Sequence, residues 1–199
     1  ILYIASLVSS WEGAVTGVPA PGASALPLIS VGGIWLAVWR GWGRLVGGLP
    51  IALAFALWTQ VERPDVLIAP DAGLVGLMAS QGRALSFSRG AGFAADSWLE
   101  NDGDLSDQVT AAGREGFVGA GSQRSFALGD WHIAHLKGKA ALSALAEVCR
   151  THDLVIIATR LSARPNECRL IDQNDLRRSG GLALWLEGED LRIVPARDG

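Results

Sequence analysis

Two apolar stretches, parted by a short basic break, constrain this chain more than any other feature in it. Residues 25–61 read ALPLISVGGIWLAVWRGWGRLVGGLPIALAFALWTQV, and their only charges are Arg40 and Arg44 in the break RGWGR. No side chain between Gly13 and Trp39 is charged, and none between Leu45 and Val61. A helix that is apolar on every face belongs in a large core or in a bilayer. The hydrocarbon layer is about 30 Å thick and takes about 17–25 apolar residues. Residues 45–61 sit at the short end of that range, and the first stretch reaches it only by drawing on the proline-containing approach before Ala25. Trp35, Trp39, Trp42 and Trp58 lie near the segment ends, where an indole favours the headgroup layer. The expectation is a transmembrane helical hairpin with helices at about 23–39 and 45–61. A basic loop points to the cytoplasm, which would place everything after Glu62 on the outer face. Residues 1–18 read as an interfacial helix or as the tail of a preceding spanning helix.

Charge changes abruptly after this segment. Up to Val61 the charges are Glu12, Arg40 and Arg44; from Glu62 onward there are 17 − 2 = 15 basic and 20 − 1 = 19 acidic residues, a net of −4. A domain boundary is expected near Glu62-Arg63-Pro64, giving a membrane segment at 1–61 and a weakly acidic domain at 62–199, long enough for its own core. That charge excludes a broad basic field of the kind that holds nucleic acid by phosphate contacts alone. The chain begins with Ile1 rather than Met, as expected of a piece of a longer polypeptide. Cys149 and Cys168 belong to no CxxC pair, so zinc-ribbon and thioredoxin readings fail. They are either one disulfide, which a compartment outside the cytoplasm permits, or two separate buried thiols.

After the boundary, residues 65–69, 74–79 and 83–88 read as a meander of strands around turn residues. A short helix is expected at 94–100, and 101–121 reads as loop. Residues 125–128 and 131–137 form a hairpin around Gly129-Asp130. Residues 140–150 carry Leu142, Leu145, Ala146 and Cys149 at helical spacing. DLVIIA at 153–158 reads as a strand buried on both faces. A short helix at 172–179, closed by Gly180-Gly181, precedes a ribbon at 182–187 and 190–195. The pattern is α+β, or layered α/β.

Candidates for catalysis are few. His132 and His135 are three apart in WHIAHL; on a strand they point to opposite faces and cannot share a metal. There is no GxSxG, Walker A or GxGxxG motif, and the loop glycines of Gly90-Ala-Gly92 and Gly119-Ala-Gly121 lack the strand-then-helix setting of a phosphate cradle. Asp65, Asp71, Asp130, Asp153 and Asp172 stand at turns or element starts, where Asp caps helices and closes Asx turns.

A set of short motifs, in order, resembles the C-terminal end of ComEC-type competence proteins, inner-membrane channels that pass single-stranded DNA during natural transformation, in their shortened alphaproteobacterial form. They are WLAVW from Trp35 with Arg44, RPDVLI from Arg63, Asp71-Ala-Gly73, DLVII from Asp153, Cys168, DQNDL from Asp172 and SGGLA from Ser179. In longer members the C-terminal domain resembles a metallo-β-lactamase fold proposed to degrade the non-transported strand. The resemblance implies a fold class of transmembrane helical hairpin followed by an α+β (layered α/β) domain resembling a degenerate metallo-β-lactamase-like fold. The HxHxDH zinc cluster is absent, and Thr159-Arg-Leu-Ser162 stands where a His-His-Gly segment is expected. A hydrolytic zinc centre needs at least three converging ligands and an open position. The expected domain is therefore non-catalytic, with no catalytic residue, no metal and no cofactor. The alternative is a metal-dependent phosphodiesterase using Asp71, His132 or His135. Implied partners are single-stranded DNA through the full-length channel, membrane lipid, the polypeptide before Ile1 and a second copy of the chain. The implied location is a bacterial inner membrane, multi-pass, with the C-terminal domain in the periplasm. Arg160, Arg164 and Arg169 are the candidate DNA contacts.

Overall fold

The structure is a computed structural model and describes residues 16–138, 140–162 and 164–196. The reading of residues 1–18 falls almost wholly outside the described residues. Two compact units are present: a small one, Val18–Arg63, and a larger one that includes Pro64–Gly199.

The small unit is a helical hairpin. Helix α1 (Ala25–Val38) is followed by a 3-10 turn (Trp42–Gly47) and helix α2 (Gly48–Trp58). With 14 and 11 residues, the helices are about 21 and 17 Å long at about 1.5 Å per residue. The expected transmembrane hairpin is therefore corrected: among the described residues, no helix is long and apolar enough to cross a membrane, and a multi-pass inner-membrane location loses its support. The shortening has local causes. Trp39 leaves α1 in an extended conformation, Gly41 takes φ +80°, and the 3-10 turn uses up residues that the second apolar segment needs. The helices meet through small residues: a Cβ on Gly32 would lie 2.5 Å from the Gly47 carbonyl oxygen.

The larger unit is α+β with two sheets. The first is antiparallel, in the order β3-β2-β1-β8-β9, from Val66–Ile68 (β1), Val75–Ala79 (β2), Gly82–Leu85 (β3), Leu182–Glu187 (β8) and Asp190–Pro195 (β9). The second, in the order β4-β5-β6-β7, holds Gln123–Leu128 (β4), Trp131–Leu136 (β5), Leu154–Ile157 (β6) and Arg169–Ile171 (β7). β4 and β5 are an antiparallel hairpin, whereas β5, β6 and β7 run parallel.

Side-chain alternation along β6 shows how the layers form. Leu154 and Ile156 join Val66, Ile68, Leu77 and Leu184 of the first sheet in the central core. Val155 and Ile157 face the other way, against Leu145, Val148 and Cys149 of helix α5 (Ala141–Cys149). On the outer side of the first sheet, Leu74 and Leu85 pack with Ala95 and Leu99 of helix α3 (Gly92–Asp102) and Ala111 of helix α4 (Gln108–Ala112). The result is a helix–sheet–sheet–helix sandwich. Helix α6 (Gln173–Ser179) completes the set.

Helix α4 lies inside the region that reads as loop; its signal is Asp107, whose carboxylate caps the Thr110 amide at 2.8 Å. Strand β7 also lies outside the expected elements, because three residues with one buried side chain carry no periodicity. Cys149 and Cys168 are joined by a disulfide with Cα atoms 5.0 Å apart, tying the end of α5 to the approach of β7. Arg83, fully buried, is paired with Asp102 at 2.5 Å and donates to the Pro64 carbonyl, fastening β3 to α3.

Candidate functional site

The parallel register of β5, β6 and β7 defines two ends of the second sheet, and ligand crevices in such sheets open at the carboxyl ends of the strands. Both ends carry polar side chains, of different kinds.

At the amino end, His132 opens β5 and Asp153 precedes β6. The Asp153 carboxylate accepts the His132 backbone amide at 2.8 Å and lies 3.6 Å from the imidazole, whose side chain is 67% exposed. The His152 ring is engaged on both sides: Nδ1 lies 2.9 Å from Thr151 Oγ1 and 3.2 Å from the Val148 carbonyl oxygen, and Nε2 lies 3.0 Å from Ser125 Oγ. Together with the disulfide and Arg169, these residues line an open cavity of about 530 Å³. Arg169 also lies over the Trp131 ring, 5.8 Å from its centre.

At the carboxyl end, His135 is buried between the sheets. The loop after β1, Pro70-Asp71-Ala72-Gly73, is an Asx turn: Asp71 Oδ1 accepts the Gly73 amide at 2.8 Å, and Ala72 takes φ +54°. That turn aims the Ala72 carbonyl at His135, which donates to it from Nε2 at 2.8 Å. Nδ1 then accepts from Ser86 Oγ at 2.9 Å, and Ser86 in turn accepts the Val75 amide. Both ring nitrogens are engaged, and the tautomer follows from the carbonyl, which can only accept. Burial, with Lys137 and Arg124 close by, pulls the His135 pKa down to about 4, against the opposing pull of the Ala72 hydrogen bond and Asp71. The ring is neutral at pH 7.

Above this histidine stands a basic cluster around one aromatic ring. Arg124 lies opposite His135 on β4, and Lys137 follows β5 directly. Their charged groups sit 5.2 Å and 5.0 Å from the centre of the Phe87 ring. Lys137 Nζ donates to the Gly73 carbonyl at 2.9 Å and the Arg89 carbonyl at 3.3 Å, so one of its three N–H groups remains for a ligand. Arg124 points one nitrogen at its own loop, donating to Gln123 O at 2.9 Å. Gln108 of α4 holds the 87–90 loop by donating to the carbonyls of Phe87 and Gly90. Phe87, Ser88, Arg89, Gly121, Ser122, Arg124 and Lys137 line a cavity of about 420 Å³ with no carboxylate among them. The two glycine loops at Gly90 and Gly121 thus meet here, although neither forms the strand-then-helix cradle of a nucleotide site.

The remaining rim is built from Asp172. Fully buried, it caps α6 by accepting the amides of Asn174 at 2.9 Å and Asp175 at 3.1 Å, and it also receives Leu161 N at 3.2 Å and Arg164 at 3.0 Å. Burial pushes its pKa up, but these amides and Arg164 outweigh it and the net direction is down. Arg164 binds Asp175 as well, at 2.8 Å.

The three arginines that the sequence singles out are not brought together. Arg160 follows the carboxyl end of β6, Arg164 is held by two aspartates beside α6, and Arg169 pairs with Leu154 at the opposite, amino end. Asp71, His132 and His135, the ligand set of the phosphodiesterase alternative, are also separated: Asp71 and His135 stand near the carboxyl end and His132 at the amino end. Among the described residues, no group of three or more His, Cys, Asp or Glu side chains is placed to hold a metal ion. The cluster of Phe87, Arg89, Arg124 and Lys137 escapes sequence reasoning because its members come from three separate segments. The one local signal is Arg124 and Lys137 flanking a β-hairpin at nearly matched distances from its turn. No family model, curated protein or solved structure matches the chain.

Proposed function

We propose that this chain serves the uptake of single-stranded DNA as a C-terminal portion of a ComEC-type protein, with Pro64–Gly199 guiding the phosphate backbone rather than cleaving it. The observation that carries this reading is the cluster of Arg89, Arg124 and Lys137 around Phe87, free of carboxylates on a domain of net negative charge. Phosphate contacts supply affinity without reading sequence, which suits a surface past which any strand must move. Two cations over the Phe87 ring make it an organiser of charge rather than a stacking platform. The motif residues of the resemblance serve the architecture of the same rim: the Asp71-Ala-Gly73 turn presents the carbonyls that hold His135 and Lys137, and Asp172 caps α6. Hydrolysis is disfavoured because His135 has both nitrogens engaged, His132 stands at the other end of the sheet, and no group of three metal-ligating side chains is found among the described residues.

Fluorescence anisotropy of the full chain with a labelled single-stranded oligonucleotide tests the proposal. Three phosphate contacts predict a slope of log K against log salt of about −2. Arg124→Ser with Lys137→Ser should weaken binding at least tenfold, while Arg160→Ser with Arg169→Ser should leave it nearly unchanged. Binding insensitive to the first pair would overturn this reading. Metal-dependent cleavage of the oligonucleotide, lost in His132→Ala or His135→Ala, would replace it with the phosphodiesterase.

A further inference from the structure

The hairpin is packed the wrong way round for a water-facing body. The residues it buries are Ala25, Gly32, Gly47 and Ala54, all small. Its large apolar side chains point outward, Ile34, Val38, Leu49, Leu53 and Phe55 among them, with Trp42 90% exposed at the turn. Proteins folded against water put large aliphatic residues inside. Helix pairs in lipid do the reverse, because small residues let backbones approach while acyl chains solvate the large ones. The two helices have no polar face to turn toward water: neither contains a charged residue.

From these observations we infer that Val18–Arg63 docks into the acyl layer of a lipid surface and lies along that layer without crossing it. The charges decide the orientation. Arg40 and Arg44 mark the turn end and Glu62 the other end, and all three need water or headgroups. Helices of about 21 and 17 Å are too short to put those ends on opposite sides of a layer about 30 Å thick. Both ends therefore sit at the same surface, with the arginines reaching anionic headgroups. The indole groups suit that depth: Trp35 donates internally to Gly43 O at 3.0 Å and Trp58 to Pro19 O at 2.8 Å, so neither N–H is stranded in hydrocarbon.

The test is flotation of the full chain with vesicles of phosphatidylcholine and phosphatidylglycerol. The chain should float with lipid, and Ile34→Gln, Leu53→Gln and Phe55→Gln together should lower the bound fraction at least tenfold. These side chains are exposed, and an unchanged circular dichroism spectrum would show that the variant still folds. A Trp42→Cys variant, its native cysteines paired, should react with a membrane-impermeant maleimide added outside the vesicles. A chain that stays with the aqueous fraction overturns the inference, as does one whose apolar faces are covered by a second copy in a stable dimer that ignores lipid. Protection of residue 42 until the vesicles are opened overturns the claim that the hairpin does not cross.

Discussion

The two units of this chain solve the same packing problem in opposite ways. In the sandwich, Leu154, Ile156, Val66 and Leu184 fill the space between two sheets, and glycine appears mostly in turns. In the hairpin, glycine and alanine hold the centre and the large side chains face out. The same residue types thus do different work. Between the sheets, stability comes from removing large apolar surface from water, about 25 cal/mol per Å². Within the hairpin it comes from close backbone approach, and the surface left over is available to another apolar phase.

Truncating one large side chain in each unit should have unequal consequences. Ile156→Ala should destabilise the sandwich by about 2–5 kcal/mol, read from thermal unfolding followed by near-UV circular dichroism. A change under about 1 kcal/mol would mean the inter-sheet core is not close-packed. Acid is the next largest lever. His135 is neutral in the fold, with its pKa lowered to about 4 from 6.5. The unfolded chain therefore binds more protons between those values. Stability should be undiminished above pH 6.5 and fall as the pH drops toward 4, by a total on the order of 3 kcal/mol. His135→Gln should flatten that part of the profile; an unaltered profile would place the acid sensitivity elsewhere. Ser86, the Ala72 carbonyl, Phe87, Asp71, Lys137 and Arg124 surround the ring, so no carboxylate bonds it directly when it charges. The smallest effect is expected at Leu53→Ala in the hairpin, within about 0.5 kcal/mol in lipid-free solution. A loss comparable to Ile156→Ala would show that the outward face is already covered.

Much of the local structure was legible because local physics decided it. Strand β6 announces itself as four apolar residues in a row, and Gly129-Asp130 and Gly188-Glu189 mark two hairpin turns. Histidines three apart on a strand part company, as His132 and His135 do. Asp172 before α6 forms a capping box with Asp175. The hairpin misled on length, since hydropathy reports how apolar a segment is and not where Gly41 and a 3-10 turn end a helix. Three arginines near one another in sequence are parted in the fold, because a parallel strand pair sends its two ends to opposite sides of the sheet.

Local pattern is enough to dictate two all-round apolar helices without charge, an acidic partner segment, and alternating or continuous apolar runs that must lie in sheets. Those follow from periods of 2 and 3.6 residues, which need no distant contacts. Which distant segments share a neighbourhood follows only from the packed fold. Phe87, Arg124 and Lys137 meet because β3, β4 and β5 bring their ends to one rim, and His135 is neutral because the two sheets close over it, while a turn sixty residues earlier in the chain supplies the carbonyl that fixes its tautomer. Such meetings depend on strand order and register, quantities set by the packing of the whole sandwich rather than by any window of the sequence.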